Sequence, residues 1–270
     1  MDRTLVPASF SVKDFNFRNY RKVILNGHID GLVIPNKQHP ICSIEIIFRS
    51  GSWFEKNPGI AFLTGKMLLE GTTSKNGEEI ALAFEYMGAH IEIQTTVDDS
   101  RIRLFATQKH IYSSLALLQE ILFTPSFPTY EFEVIKNLKA KQIKMQLAKN
   151  NYFASSYFKQ LLFGRSHPYG RSLKGEEINK RSLFEIKEFF QLQFQNDPKV
   201  VLCGDIDQNI IEKTALLLDI INKNSQQIPH FKIRPNYDHH TIERSNSVQA
   251  SLRLGAQTIQ RGHPEIHKLT

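Results

Sequence analysis

The segment ICSIEIIFRSGSW (residues 41–53) constrains the fold more than any other stretch of this chain. Ile44, Ile46 and Phe48 fall on one side, and Glu45 and Arg49 point towards the other. That period of two is the signature of a half-buried strand. It calls for a sheet covered on one face and wetted on the other, a common arrangement for antiparallel strands. HIEIQTTVD (90–98) and RIRLFATQ (101–108) alternate in the same way and pair naturally as a hairpin around Asp98-Asp99-Ser100. RKVILNGHIDGLVIPN (21–36) reads as two short strands joined at Asn26-Gly27, a strong hairpin signal. KVVLCGDI (199–206) reads as one further strand.

Helical periods separate these strands. GIAFLTGKMLLEGT predicts a helix from about 58 to 70, opened by Pro58 and closed by a Gly-Thr turn. EEIALAFEYMGA (78–89) predicts a second, with glutamates in its first turn. HIYSSLALLQEILFTPSF (110–127) is a helix stopped by Pro125, and a long helix runs over 129–163 with a break near Asn150-Asn151. GRSHPYGRSLKGEEINKRS (164–182) is a loop, and 183–194 and 208–222 are helical. The order lacks the strict strand–helix alternation of a doubly wound parallel sheet. It predicts an α+β fold: a mostly antiparallel sheet with helices packed on one face.

A hydrophobic content of 41% is too high for a disordered chain. No apolar run is long enough to span a membrane. Residues 1–18 read as a polar leader without the apolar core of a secretory signal, so a cytoplasmic location is expected. The net charge of +7 is spread along the chain. Its densest run, KNLKAKQIKMQLAK (136–149), interleaves lysines with apolar residues at helical spacing and reads as a solvated helix face, not a nucleic-acid groove. Cys42 and Cys203 lie in apolar strands and read as buried thiols. Segment 226–245 reads as a linker after a main domain over 19–225. A faint repeat follows: shifted by 206 residues, Ile44, Ile46 and Phe48 fall on Ala250, Leu252 and Leu254, and Pro58 falls on Pro264. Residues 246–270 are therefore expected to begin a second, similar unit.

The helix at 59–72 raises a chemical question. Residues at i, i+3 and i+4 share a helix face, so two histidines and a carboxylate at those positions can hold zinc and activate its water. The flanking residues here resemble the M16 family of insulinase, pitrilysin and mitochondrial processing peptidase. That family's motif runs roughly G-L-A-H-x-L-E-H-M-L-F-x-G-T. Gly59, Ala61, Met67, Leu68, Gly71 and Thr72 match it, and Ile60 is a conservative change. GLVIPN, RSGSWFEK, MGAHIEIQTTVDDSRI, HPYGRSLKGEEINKRSLFEIKEFF and VVLCGDI are similar to further family signatures, so the resemblance covers nearly the whole chain.

The family's chemistry does not carry over. Its first ligand histidine falls on Phe62, its catalytic glutamate on Gly65 and its second histidine on Lys66. Its third ligand, a glutamate about 75 residues on, falls near Lys141 or Gln142. The resemblance thus implies a non-catalytic subunit with no cofactor of its own. It would assemble with an active M16 subunit carrying H-x-x-E-H and the zinc, and together they would enclose extended peptides or small unfolded proteins. No nucleic-acid partner and no membrane span are expected. Two other readings use the same residues: a peptide-binding or scaffold protein without a protease partner, and a metallopeptidase with a displaced site at His90, His110, His167 or the HPEIH run from His263 to His267. In that run Pro264 suits a first helical turn, which puts His263 at the cap and off the regular face.

Overall fold

The structure, a computed structural model, describes residues 19–268 apart from 195, 197, 220, 222–227, 234, 246, 248 and 261. The leader read over 1–18 and part of the linker lie outside the described residues. Six strands form one sheet: β1 (Arg21–Leu25), β2 (Ile29–Pro35), β3 (Ile41–Phe48), β4 (His90–Thr95), β5 (Ser100–Thr107) and β6 (Lys199–Gly204). Their spatial order is β1-β2-β6-β3-β5-β4, and only the β2–β6 pair is parallel.

Register follows from the alternation. Ile44 lies opposite Leu104 on one side and Leu202 on the other, Leu104 faces Ile91, and Leu202 faces Val33. A slip of one residue would turn every one of these apolar side chains to water. Ile44, Ile46, Phe48, Ile102, Leu104 and Leu202 are fully buried on that face. The opposite face carries Glu45, bonded to Arg103 at 2.9 Å, with Arg101 and Glu92 close by.

The helices are α1 (Ile60–Met67), α2 (Gly77–Tyr86), α3 (Ile111–Phe123), α4 (Thr129–Ala148), α5 (Asn150–Phe163), α6 (Gly175–Asn179), α7 (Leu183–Gln193) and α8 (Gln208–Leu217). Their starts are set by local chemistry. Asn76 with Glu79 and Ser182 with Glu185 form capping boxes, and Asp207 accepts from the Ile210 N–H. In α1 and the turn after it, Leu63, Met67 and Leu68 are fully buried, each contributing about 1.5–3 kcal/mol of hydrophobic stabilisation.

Four sequence expectations are adjusted. The break in the long helix comes at Lys149, which is extended (φ −79, ψ 125), one residue before Asn150. The 164–182 loop contains the single-turn helix α6. Cys203 is only half-buried, because it lies on the sheet face opposite Leu202, whereas Cys42 is fully buried. The lysines of 136–149 do not share one solvated face: Lys136 is buried with Glu133 at 2.6 Å, Lys139 is half-buried, and Lys141 and Lys144 are exposed. Helix phase explains the split, since Phe132, Lys136 and Ile143 turn inward together. Separately, residues 249–260 lie in no strand, and Leu252 and Leu254 are exposed.

Candidate functional site

The helix that carries Phe62, Gly65 and Lys66 is held at its start by a buried carboxylate. Gly59 has φ +95, a conformation that side-chain-bearing residues rarely adopt, and a Cβ there would lie 2.4 Å from Ile178 of α6. Glycine is thus the residue this corner admits. The first N–H groups of the helix have no partner within it. Glu55 supplies one: its Oε2 accepts from the N–H groups of Gly59 and Ala61, both at 3.0 Å. Its Oε1 accepts from Arg171 at 2.8 Å, and Arg171 also donates to the Ser52 carbonyl. Burial pushes the Glu55 carboxyl up, while the two N–H groups and Arg171 pull it back down.

Arg171 brings the HPYGR loop to this corner. His167 is buried among the rings of Trp53, Phe163, Tyr169 and Phe231, with centroids 5.2–5.9 Å away. Its Nδ1 accepts from the Tyr169 N–H at 3.2 Å, which places the ring proton on Nε2 when neutral. Burial lowers its tendency to protonate. Tyr169 donates its hydroxyl to Asp98, and its phenol is pushed up to about 12, by burial first and then by that bond. Through Arg171 on Glu55 and Tyr169 on Asp98, the loop acts as a clamp between α1 and the β4–β5 turn.

Phe62, Gly65 and Lys66 follow within the next turn of α1. Phe62 is half-buried and Lys66 exposed on the same side of the helix, while Gly65 is buried against β4. A Cβ on Gly65 would lie 2.5 Å from Thr95 Oγ1. Gly65 therefore makes room for a side chain of the adjoining strand. Thr95 is itself fixed by Ser100 at 3.0 Å, and Ser100 donates to the Ser50 carbonyl at 3.0 Å. That hydroxyl chain occupies the ground where a longer residue at 65 would have to pass.

From α4 the residue that reaches this face is Lys139. Its Nζ sits 3.9 Å from the centroid of the Phe62 ring. Gln142 and Lys141, the positions reached by counting along the chain, are exposed; Gln142 touches the site only by accepting from Lys139 Nζ at 3.3 Å. Burial holds the Lys139 ammonium below its ordinary range, and the Lys66 charge adds to that. The corner thus gathers a ring, an empty glycine position and two cations. It offers no lone pair at Phe62 or Gly65 and repels a dication at Lys66 and Lys139, so these residues do not fit zinc.

The displaced-site residues are dispersed. His90 is on edge strand β4 near Phe105, His110 precedes α3, His167 is in the aromatic clamp, and His263 and His267 flank the turn before and within the 3-10 segment Ile266–Lys268. Among the described residues no three His, Cys, Asp or Glu side chains are grouped to share a metal. Glu55, Arg171 and Lys139 were missed by motif reasoning. For Lys139 the available signal was phase, since it lies three residues from Lys136 and four from Ile143.

A family model described as insulinase (peptidase family M16) matches residues 32–170, from the second strand through the HPYG segment. The chain belongs to the M16 peptidase family. It is 28% identical over 209 residues to the non-peptidase homolog YmxG of Helicobacter pylori, covering 74% of this chain and 48% of that one. It is 23% identical over 186 residues to mitochondrial cytochrome b-c1 complex subunit 1 of Bos taurus, covering 65% and 37%. It also shares the fold of a peptidase M16 inactive domain from Pseudomonas fluorescens, with a TM-score of 0.72 and 23% identity over 79% of this chain and 54% of that one. The chain spans half or less of the length of these two sequence relatives. No helix among its described residues is long and apolar enough to cross a membrane.

Proposed function

We propose that this chain is a non-catalytic M16 subunit that pairs with a zinc-bearing M16 subunit and helps to enclose extended peptides. The observation that supports this reading is a helix whose flanks match the family's motif and whose positions 62, 65 and 66 carry no metal-ligating side chain. Gly59, Glu55 and the buried face of α1 hold the helix in place, yet Phe62, Gly65, Lys66 and Lys139 occupy the face where ligands would converge. The relative from H. pylori carries the name non-peptidase homolog, which agrees with this reading. Zinc belongs to the partner in this scheme. Edge strand β4 offers unpaired main-chain groups to an extended peptide.

The test is reconstitution with an M16 protein from the same source that carries H-x-x-E-H. The isolated chain should contain far less than one zinc per molecule after dialysis and cleave no unfolded peptide. Peptide cleavage by the mixture should exceed that of the partner alone. Stoichiometric zinc in the isolated chain would overturn the reading. Failure of any such protein to co-purify with it would favour a scaffold role.

A further inference from the structure

We propose that the Phe62–Lys66–Lys139 corner binds the carboxylate of a peptide. This deepens the preceding reading and rests on it for the peptide, though the anion site itself can be tested alone.

The argument starts from an unbalanced charge. Among the described lysines that are not exposed, Lys75 has Glu120 at 2.9 Å and Lys136 has Glu133 at 2.6 Å. Lys139 is the third, and no carboxylate lies within 4 Å of its Nζ among the described residues. It rests on the face of Phe62 and gives one N–H to Gln142. A ring face attracts a cation but does not neutralise it. An ammonium has three donors, so two remain free.

The Lys66 charge acts on it repulsively, in addition to burial. Lys66 has no ion pair within 4 Å among the described residues. Glu70, in the turn after α1, does feel Lys66. Burial and then Glu131 push the Glu70 carboxyl up, and Lys66 draws it back down. Lys66 Nζ, the free donors of Lys139 and the Gln142 amide nitrogen are all donors. Such a set suits an anion of two or three oxygens. Glu70, whose carboxyl interacts with Lys66, disfavours a multiply charged phosphate more than a singly charged carboxylate, so a carboxylate is the better match. It could come from an acidic side chain or from a peptide C-terminus.

Two measurements test this. The first uses the whole chain labelled with 13Cε-lysine, which leaves every lysine N–H in place. The Lys139 resonance is assigned by its loss in Lys139→Met, and acetate or inorganic phosphate is then titrated in. Acetate should move that resonance and raise the pH at which it titrates, more than phosphate does at equal ionic strength. No response of Lys139 to acetate overturns the site, whatever peptides do. The second is calorimetry with four unlabelled extended peptides differing only in Asp against Asn at the centre and free acid against amide at the C-terminus. At least one acidic form should bind about fivefold more tightly than its neutral isostere. Which one does so identifies the source of the carboxylate. That advantage should vanish in Lys66→Met/Lys139→Met, a variant that keeps the apolar stems. Peptides bound equally well whatever their charge would sink the carboxylate proposal while leaving peptide binding standing. An acetate response with no peptide bound would instead refute the peptide reading and retain the anion site.

Discussion

The ammonium of Lys139 lies 3.9 Å from the ring centroid of Phe62, so two helices far apart in sequence place a cation on an aromatic face where M16 zinc ligands would be expected to converge. The contact forecasts the result of trying to rebuild the metal site. Phe62→His/Lys66→His should bind zinc poorly, because Lys139 would still point at the ion. Adding Lys139→Glu should raise zinc affinity at least about tenfold, through a new ligand and a lost repulsion. Competition with a fluorescent zinc chelator measures both variants; equal affinities would remove Lys139 from the corner.

Gly65 should resist even a methyl group. A mid-helix Gly→Ala change ordinarily stabilises by about 1 kcal/mol. Here the new Cβ would meet Thr95 Oγ1 at 2.5 Å, and Thr95 is tied to Ser100. Overpacking costs about 1–3 kcal/mol, so Gly65→Ala should be net destabilising by about 1 kcal/mol in urea unfolding. In the background of Thr95→Ala the same substitution should become neutral or stabilising. An additive cycle would contradict the proposed packing of α1 on β4.

The Glu55–Arg171 pair should behave as a unit. Glu55 is 3% exposed in its side chain and Arg171 20%, so removing Arg171 leaves a carboxylate buried with only two N–H donors. Arg171→Met should destabilise by about 3 kcal/mol. With Glu55→Gln already in place, Arg171→Met should cost at least about 1 kcal/mol less. Chemical denaturation of the four proteins yields the coupling.

The His167 clamp should make stability pH-dependent. Burial lowers the folded-state pKa of His167, so below the ordinary value of about 6.5 the unfolded chain takes up a proton that the folded chain refuses. Its contribution is therefore present above pH 6.5. It is lost as pH falls from there towards the lower folded-state value. His167→Gln should flatten this part of the stability profile. Trp53 is the only tryptophan, and it packs edge-on to His167 at 5.2 Å and donates to the Pro229 carbonyl. Its fluorescence therefore reports the clamp directly, and an emission unchanged between pH 7 and pH 5 would argue against protonation of His167 at that place.

The strands were legible because their alternation is a property of neighbouring residues. Ile44, Ile46 and Phe48 identified the covered face of β3, and Asn26-Gly27 marked the first hairpin. The placement of Phe62, Gly65 and Lys66 on neighbouring turns of one helix was equally plain, since positions that close in sequence keep their spacing. The α4 side of the site was not legible in the same way. Counting along the chain pointed to Lys141 and Gln142, but a helix turns 100° per residue, and an offset of two or three positions moves a side chain to another face. Lys139 reaches Phe62 because Phe132, Lys136 and Ile143 fix the rotation of α4.

The sequence by itself determined the α+β class, the order of elements and the absence of ligating side chains on α1, because periodicity, turn chemistry and donor chemistry are local. Only the tertiary structure decided which groups from distant segments meet. Glu55 and Arg171 are 116 residues apart and share a hydrogen bond at 2.8 Å; Gly65 faces Thr95, and Lys139 faces Phe62. Those contacts depend on strand register, helix rotation and packing distance, which are set jointly by the whole core rather than by any one segment.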